Sequence, residues 1–168
     1  MKLSSHEEYG LRCLLQVGRQ GPNGSATIPE ISRKEGLSTP YVAKLMRILR
    51  RGGLVKAARG NVGGYTLALP PERIWVADAL TVLGGRMYED DFCERHSGAQ
   101  ASCAHSTGCS IRSLWRDLQG AIDSVLRTTT LQDLLYSGHG ARTSAPLPSD
   151  LVPLHDRIKR GPTNPVSK

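Results

Sequence analysis

No stretch of this chain comes near the roughly eighteen consecutive apolar residues that a membrane-spanning helix requires. Acids also stand where a secretory leader would carry its apolar run, since the chain opens Met1-Lys2-Leu3-Ser4-Ser5-His6-Glu7-Glu8. A cytoplasmic protein with reduced thiols and no membrane partner is therefore expected. The glycine-rich stretch Arg59-Gly60-Asn61-Val62-Gly63-Gly64 is not followed by Gly-Lys-Ser/Thr and opens no helix, which speaks against a nucleotide phosphate cradle. No acid/base pair or nucleophile constellation stands out, so the chain does not read as an enzyme.

Cysteine is sparse, with four in the chain, yet Cys93, Cys103 and Cys109 fall within seventeen residues that carry neither helical nor strand periodicity. Core packing is a poor account of that placement. Gly98 and Gly108 supply turns that can aim side chains at one point, and an amphipathic pattern begins right after Cys109. Three thiolates suit an iron–sulphur cluster or a zinc ion, each of which takes a fourth ligand or keeps an open position. The spacing does not choose between them. A disulfide with spare thiols is the plainer alternative, but three cysteines cannot all pair within one chain. Cys13, alone among leucines, reads as a small core residue.

What is present in quantity is positive charge. The formal net charge of +7 divides unevenly: residues 1–70 hold 11 Lys/Arg against 4 Asp/Glu, residues 71–136 hold 6 against 9, and residues 137–168 hold 5 against 2. One end of the chain thus looks built for a polyanion, and nucleic acid is the common one. With 168 residues and 39% hydrophobic content, one good core is the expectation.

Two overlapping Ser-x-x-Glu boxes, Ser4 with Glu7 and Ser5 with Glu8, predict a first helix running to about Arg19, with Leu11, Leu14, Leu15 and Gly18 inward. Gly21-Pro22-Asn23-Gly24 breaks it. Thr27 caps a short second helix closed by Gly36, and Ser38 caps a third in which Pro40 lies in the first turn. Val42, Leu45, Met46 and Leu49 repeat at helical spacing and face inward, which leaves Pro40, Lys44, Arg47 and Arg51 outward. Two helices on a tight glycine turn, the second basic outside and polar at its start, form the helix-turn-helix that enters the major groove. Ser38, Thr39, Pro40, Lys44, Arg47 and Arg51 are the DNA-contact candidates. Residues 54–58 and 65–69 read as strands of a hairpin wing, with Arg59 and Gly60 at its turn placed to reach the backbone or minor groove.

Pro70-Pro71 ends that unit. Ile74 to Leu83 predicts a short helix packed back on the first, with Trp75 in the core, and the acids Glu89-Asp90-Asp91 read as solvated. Past Cys109, Ile111, Leu114, Trp115, Leu118, Ile122, Val125 and Leu126 hold helical spacing, with Arg112, Arg116, Asp117, Asp123 and Arg127 on the other faces. So long an apolar stripe calls for a second copy of the chain in a homodimer. Thr130 and Asp133 cap a last turn, and from Ser137 the Gly, Ser, Pro and scattered charges predict a disordered tail in which His139 and His155 are poor ligands.

These residues resemble a known family. Met1-Lys2-Leu3-Ser4 with Tyr9, the helix end Arg50-Arg51-Gly52-Gly53-Leu54-Val55, the wing Arg59-Gly60-x-x-Gly63-Gly64-Tyr65, the cysteine loop and Leu114-Trp115-Arg116-Asp117-Leu118 are similar to the Rrf-type (IscR/NsrR-like) winged helix-turn-helix transcriptional regulators over about residues 1–136. The resemblance implies a homodimer whose iron–sulphur cluster, 2Fe-2S or 4Fe-4S, sets affinity for double-stranded operator DNA in response to redox, nitric oxide or iron status. Cys93, Cys103 and Cys109 match the cluster cysteines. Glu8 matches the position from which an acid of the partner subunit completes the site in NsrR-like members, although here it can close a capping box with Ser5. His96, His105 and an exogenous ligand compete for that place. Two departures stand out: the gap of nine residues between Cys93 and Cys103 is long for the family, and Arg112 stands where IscR-like members carry a ligand histidine.

The expected fold is mainly α with a small β-hairpin wing: a DNA-binding domain over 1–70, a connecting helix over 71–91, the cysteine loop over 92–109, a dimerisation helix and final turn over 110–136, and a tail over 137–168. A repressor whose cluster fixes the spacing of two recognition helices is the functional expectation. The alternatives are a zinc site or thiol redox switch on the same dimer, and, in another class, a small iron–sulphur electron carrier.

Overall fold

The computed structural model describes residues 4–22, 24–58, 63–86, 88, 91–97, 103, 105 and 108–137. Helix α1, Ser5–Gly18, begins where Ser4, in an extended conformation, accepts from the Glu7 amide while the Glu7 carboxylate accepts from the Ser4 amide at 2.7 Å. The box therefore forms on Ser4 alone. Ser5 is already helical, and only an extended residue directs its hydroxyl at the first free amides, so the expected Ser5 and Glu8 box gives way and Glu8 stays exposed. The inward face also turns slightly from the expected one: Gly10, Cys13, Leu14 and Val17 are buried, with Leu11 and Leu15 packed at its border.

Helix α2, Ile28–Glu35, starts on a full Thr27/Glu30 box and ends at Gly36, whose φ of +66° is the left-handed conformation that glycine adopts without a Cβ penalty. The Thr27 bonds hold the Glu30 carboxyl below its ordinary pKa. Helix α3, Thr39–Arg51, follows after three residues. Its Val42, Leu45, Met46 and Leu49 are fully buried. Each such side chain removed from water contributes about 1.5–3 kcal/mol before entropy is counted, so this stripe anchors α3 against α1 and α2. The Glu35 carboxylate, only 6% exposed, receives Arg12 Nε at 2.6 Å and also Gln16, tying α1 to the C-terminal end of α2.

Strands β1, Val55–Ala57, and β2, Tyr65–Leu67, pair antiparallel with Val55 opposite Leu67 and Ala57 opposite Tyr65. Ala26 and Tyr65 exchange backbone bonds at 3.0 and 2.9 Å, so the hairpin is pinned near its turn end to the segment before α2. Gly64, at φ +115°, runs so close that a Cβ there would meet the Ala26 carbonyl oxygen at 2.9 Å. The turn bearing Arg59 and Gly60 lies outside the described residues.

A 3-10 turn, Pro71–Arg73, leads into α4, Val76–Leu83. Trp75 is 41% exposed and not in the core. Ile74 and Trp75 are extended ahead of the helix, so their side chains point to opposite sides; Ile74, and Val76 at the first helical position, are buried and Trp75 faces out. The Trp75 backbone instead bridges Thr130, and Leu131 N donates to Ile74 O at 2.8 Å, which docks α7, Leu131–Ser137, beside α1. The Thr130/Asp133 cap forms as expected. One helical turn, α5, Phe92–Arg95, interrupts the cysteine segment, where no regular structure was expected. Ring stacking at 4.1 Å between Phe92 and His96, one turn apart, supports it. Helix α6, Ser110–Leu126, starts with Cys109 in the N-cap position. The tail, with His139 and His155, lies outside the described residues.

Candidate functional site

The first candidate surface is the outer face of α3. Ser38, Thr39 and Pro40 at its start and Lys44, Arg47 and Arg51 along it are all exposed. Ser38 takes the N-cap backbone conformation without a side-chain cap bond, and Thr39 Oγ1 lies 3.4 Å from Ser32 Oγ across the turn. The first-turn amides of a helix carry partial positive charge, so hydroxyls and amides here and cations further along form one anion-facing strip. Arg50, and Lys56 on β1, are exposed cations not among the sequence candidates. Their signal is charge in the sequence and orientation only in the fold.

The second candidate is the cysteine segment. Cys93, Cys103 and Cys109 are free and half-buried. Cys93 sits in the α5 turn, with the Tyr88 hydroxyl 3.8 Å from its sulphur and the Arg112 guanidinium hydrogen-bonded to it. That bond, together with the field of Cys93, raises the Arg112 pKa, while burial and then the Cys93 contact raise that of Tyr88. Arg112, which sequence spacing put on an outer face of the helix, thus turns toward the thiols. Cys109, at the head of α6, has the positive end of a helix dipole behind it. His96 is engaged, its Nδ1 2.8 Å from Phe92 O, and His105 is exposed. Glu8 is exposed on α1.

Three free, half-buried thiols, two of them within the field of Arg112, are the donor types of a thiolate-bound iron or zinc centre. Among the described residues, no three His, Cys, Asp or Glu side chains gather closely enough to hold a metal ion within this single chain. The donor types fit such a centre, while the described residues do not bring three of them together.

Cys13 is a different kind of thiol. It is fully buried in the core, and burial, with Glu35 nearby, pushes its pKa up to about 12. Iodoacetamide at pH 8 is expected to label Cys93, Cys103 and Cys109 in the reduced apoprotein while leaving Cys13 untouched until denaturation, as peptide mass mapping can check. An unfolded thiol ionises near 9.0, so between there and about 12 the folded chain retains a proton that the unfolded chain loses, and this residue lowers stability as pH rises through that window.

A cleft of about 990 Å³ opens between the start of α1, α4 and α6, lined by Glu7, Trp75, Asp78, Arg86, Gln119 and Asp123 among others. Beyond it, α6 presents Ile111, Leu114, Trp115, Leu118 and Val125 to solvent, between 37% and 60% exposed. Among the described residues, no helix is long and apolar enough to cross a membrane.

A basic helix set by a tight turn against its neighbour and flanked by a two-stranded hairpin defines a winged helix-turn-helix transcriptional regulator, not an enzyme. The chain belongs to the Rrf2 family, described as iron-dependent transcriptional regulators, whose pattern matches residues 3–137. It is 33% identical over 144 residues to the HTH-type transcriptional regulator IscR of Aliivibrio salmonicida, covering 86% of this chain and 83% of that protein. The solved structure of T. potens IscR superposes with a TM-score of 0.67 at 30% identity, covering 86% of this chain and 93% of that one. CymR, the global cysteine regulator of B. subtilis, superposes at 0.65 and 29% identity, covering 81% and 97%. With family membership established, the electron-carrier alternative falls away.

Proposed function

We propose that this chain is a cytoplasmic, homodimeric, operator-binding regulator whose grip on DNA is set by an iron–sulphur cluster held by Cys93, Cys103 and Cys109. The division into a reading head over 1–70, a linking helix over 71–91, a cysteine segment over 92–109 and a dimerisation helix over 110–136 belongs to the same reading. The observation that carries it is three free, half-buried thiols, of which Cys109 heads α6 and Cys93 lies against Arg112, in a chain of this family. Glu8, left uncapped and exposed, is the favoured fourth donor, supplied by the partner subunit. When bound, the cluster supplies iron and sulphide reactive toward oxidants, nitric oxide or loss of iron. Ser38, Thr39, Pro40, Lys44, Arg47 and Arg51, with Arg59 and Gly60 of the wing turn, would contact DNA. Two recognition helices must meet half-sites about one helical turn apart, so small shifts of dimer geometry alter specific binding.

The test is anaerobic purification with iron and acid-labile sulphide counts, followed by affinity for an operator selected from random duplexes by the purified dimer. Cluster-loaded and apo forms are expected to differ by about tenfold or more. Each Cys→Ser change at 93, 103 or 109 should abolish the visible absorption, and Glu8→Ala should weaken it. Equal affinity of loaded and apo forms sinks the reading.

The lack of a gathered donor set among the described residues, together with the likeness to CymR, favours a second reading in which the same thiols act as a redox switch or hold zinc. Colourless protein without sulphide, whose DNA affinity follows thiol oxidation or zinc content, would establish it.

A further inference from the structure

Tyr88 and Gln119 belong neither to the DNA-facing strip nor to the thiol set, yet both are buried, at 8% and 5% exposure. Gln119 is the buried residue of a helix whose apolar side chains Ile111, Leu114 and Val125 stand in solvent. A buried amide on such a helix has to be explained by what it bonds. Gln119 Oε1 accepts from the Tyr88 backbone N–H at 2.9 Å, and Gln119 Nε2 donates to Asp123 Oδ1 at 2.8 Å. Asp123 is ion-paired with Arg86, just beyond the end of α4. From the other side, the Tyr88 hydroxyl lies 3.8 Å from Cys93 Sγ, and its ring packs against Phe92 at 5.4 Å. A continuous set of polar contacts therefore runs from a candidate sensing thiol, through the segment after α4, to the middle of α6.

Helix α4 is in turn seated without slack on the reading head. A Cβ on Gly10 of α1 would fall inside the Leu83 side chain, and one on Gly52, which closes α3, inside that of Val82. At Gly84 a Cβ would meet the Glu7 side chain at 2.6 Å. Packed contacts this close are bistable and do not deform smoothly, so displacing the end of α4 must displace α1 or α3 with it.

We propose that Tyr88 and Gln119 are positioning residues that couple the state of Cys93 to the DNA-binding helices, by clamping the segment after α4 onto α6. The inference rests on the functional reading above and specifies how its regulation is transmitted. If Cys93 holds the cluster, its sulphur would be shared between that group and the Tyr88 hydroxyl that touches it here, so the Tyr88 contact would differ between the loaded and apo states, and the packing of Val82 on Gly52 would carry the difference from α4 to α3.

The experiment uses the full-length dimer and the operator it selects, measuring the ratio of cluster-loaded to apo affinity in wild type, Tyr88→Phe, Gln119→Leu and the double variant, with hydrogen exchange of the α4 amides in both states. Both single variants are expected to keep wild-type iron and sulphide content and to shrink the ratio by about fivefold or more. The double variant should lose no more than Gln119→Leu alone, because contacts in series do not add. The difference in α4 exchange between loaded and apo protein, present in wild type, should vanish. Should Gln119→Leu fail to fold, Tyr88→Phe, which removes a single hydroxyl, decides the matter. Variants that retain the wild-type ratio and the α4 difference overturn the coupling alone, as does loss of iron in Tyr88→Phe, which would make Tyr88 a holder of the cluster. A wild-type ratio of one overturns the functional reading itself, and the coupling with it.

Discussion

Changing Lys44, Arg47 and Arg51 together to alanine is expected to lower affinity for the operator by about a hundredfold at about 0.15 M salt, and to reduce the slope of log affinity against log salt by about three. The size follows from counterion release: each phosphate neutralised contributes about 0.9 to the slope, and extrapolating each contribution from about 1 M to about 0.15 M salt gives roughly fivefold. All three side chains are exposed on the face of α3 opposite the buried Val42, Leu45, Met46 and Leu49. Their removal should leave the melting temperature nearly unchanged, since substitutions away from packed or capped positions fall within about 0.5 kcal/mol. Fluorescence anisotropy over a salt series measures both quantities. An unaltered salt slope would mean that DNA approaches another face.

The second large effect concerns α6. On the proposed dimer, replacing Leu114 and Leu118 with aspartate is expected to give monomer in sedimentation velocity and to weaken operator binding by about a thousandfold, because two half-sites joined in one particle gain roughly 10²–10⁴ in avidity over one. Leu114 is 58% exposed and Leu118 37% exposed, so within one chain they have little packing to lose. The charge is introduced where a partner helix would have to desolvate it, and an unpaired buried carboxylate is strongly disfavoured. A monomer with wild-type helix content gives the clean result. Persistence of the dimer would assign the apolar face of α6 to another partner.

The reading head was largely legible because its elements are specified by contiguous residues. Thr27 with Glu30, Gly36 after α2, and the inward stripe of α3 are each settled within a few residues by capping and by helical period. Trp75 defeats the sequence reading for the complementary reason: an aromatic beside two apolar neighbours suggests core, and only the extended path of Ile74 and Trp75 into α4 decides which of the three point in. Ser4 and Ser5 offered two caps of equal chemistry, and the choice between them depended on where the first helical turn closed. At the cysteine segment the residue types pointed to thiolate chemistry, while Arg112 facing Cys93 could not be read from a helix whose faces are labelled only by charge. Gln119 carried a faint signal, a polar residue one turn past Trp115 and beside Leu118 in the apolar stripe.

Along the chain, then, local chemistry decided the helices, the wing, the basic face and the three thiols, because caps, periodicity and charge act over a handful of neighbours. The folded chain alone decided which cap was used, that Trp75 is exposed, that Arg112 and Tyr88 attend Cys93, and that Gln119 joins α6 to the segment after α4. The last two are contacts between segments, up to 31 positions apart for Tyr88 and Gln119, and they exist only once packing of α1, α3 and α4 has brought those segments together.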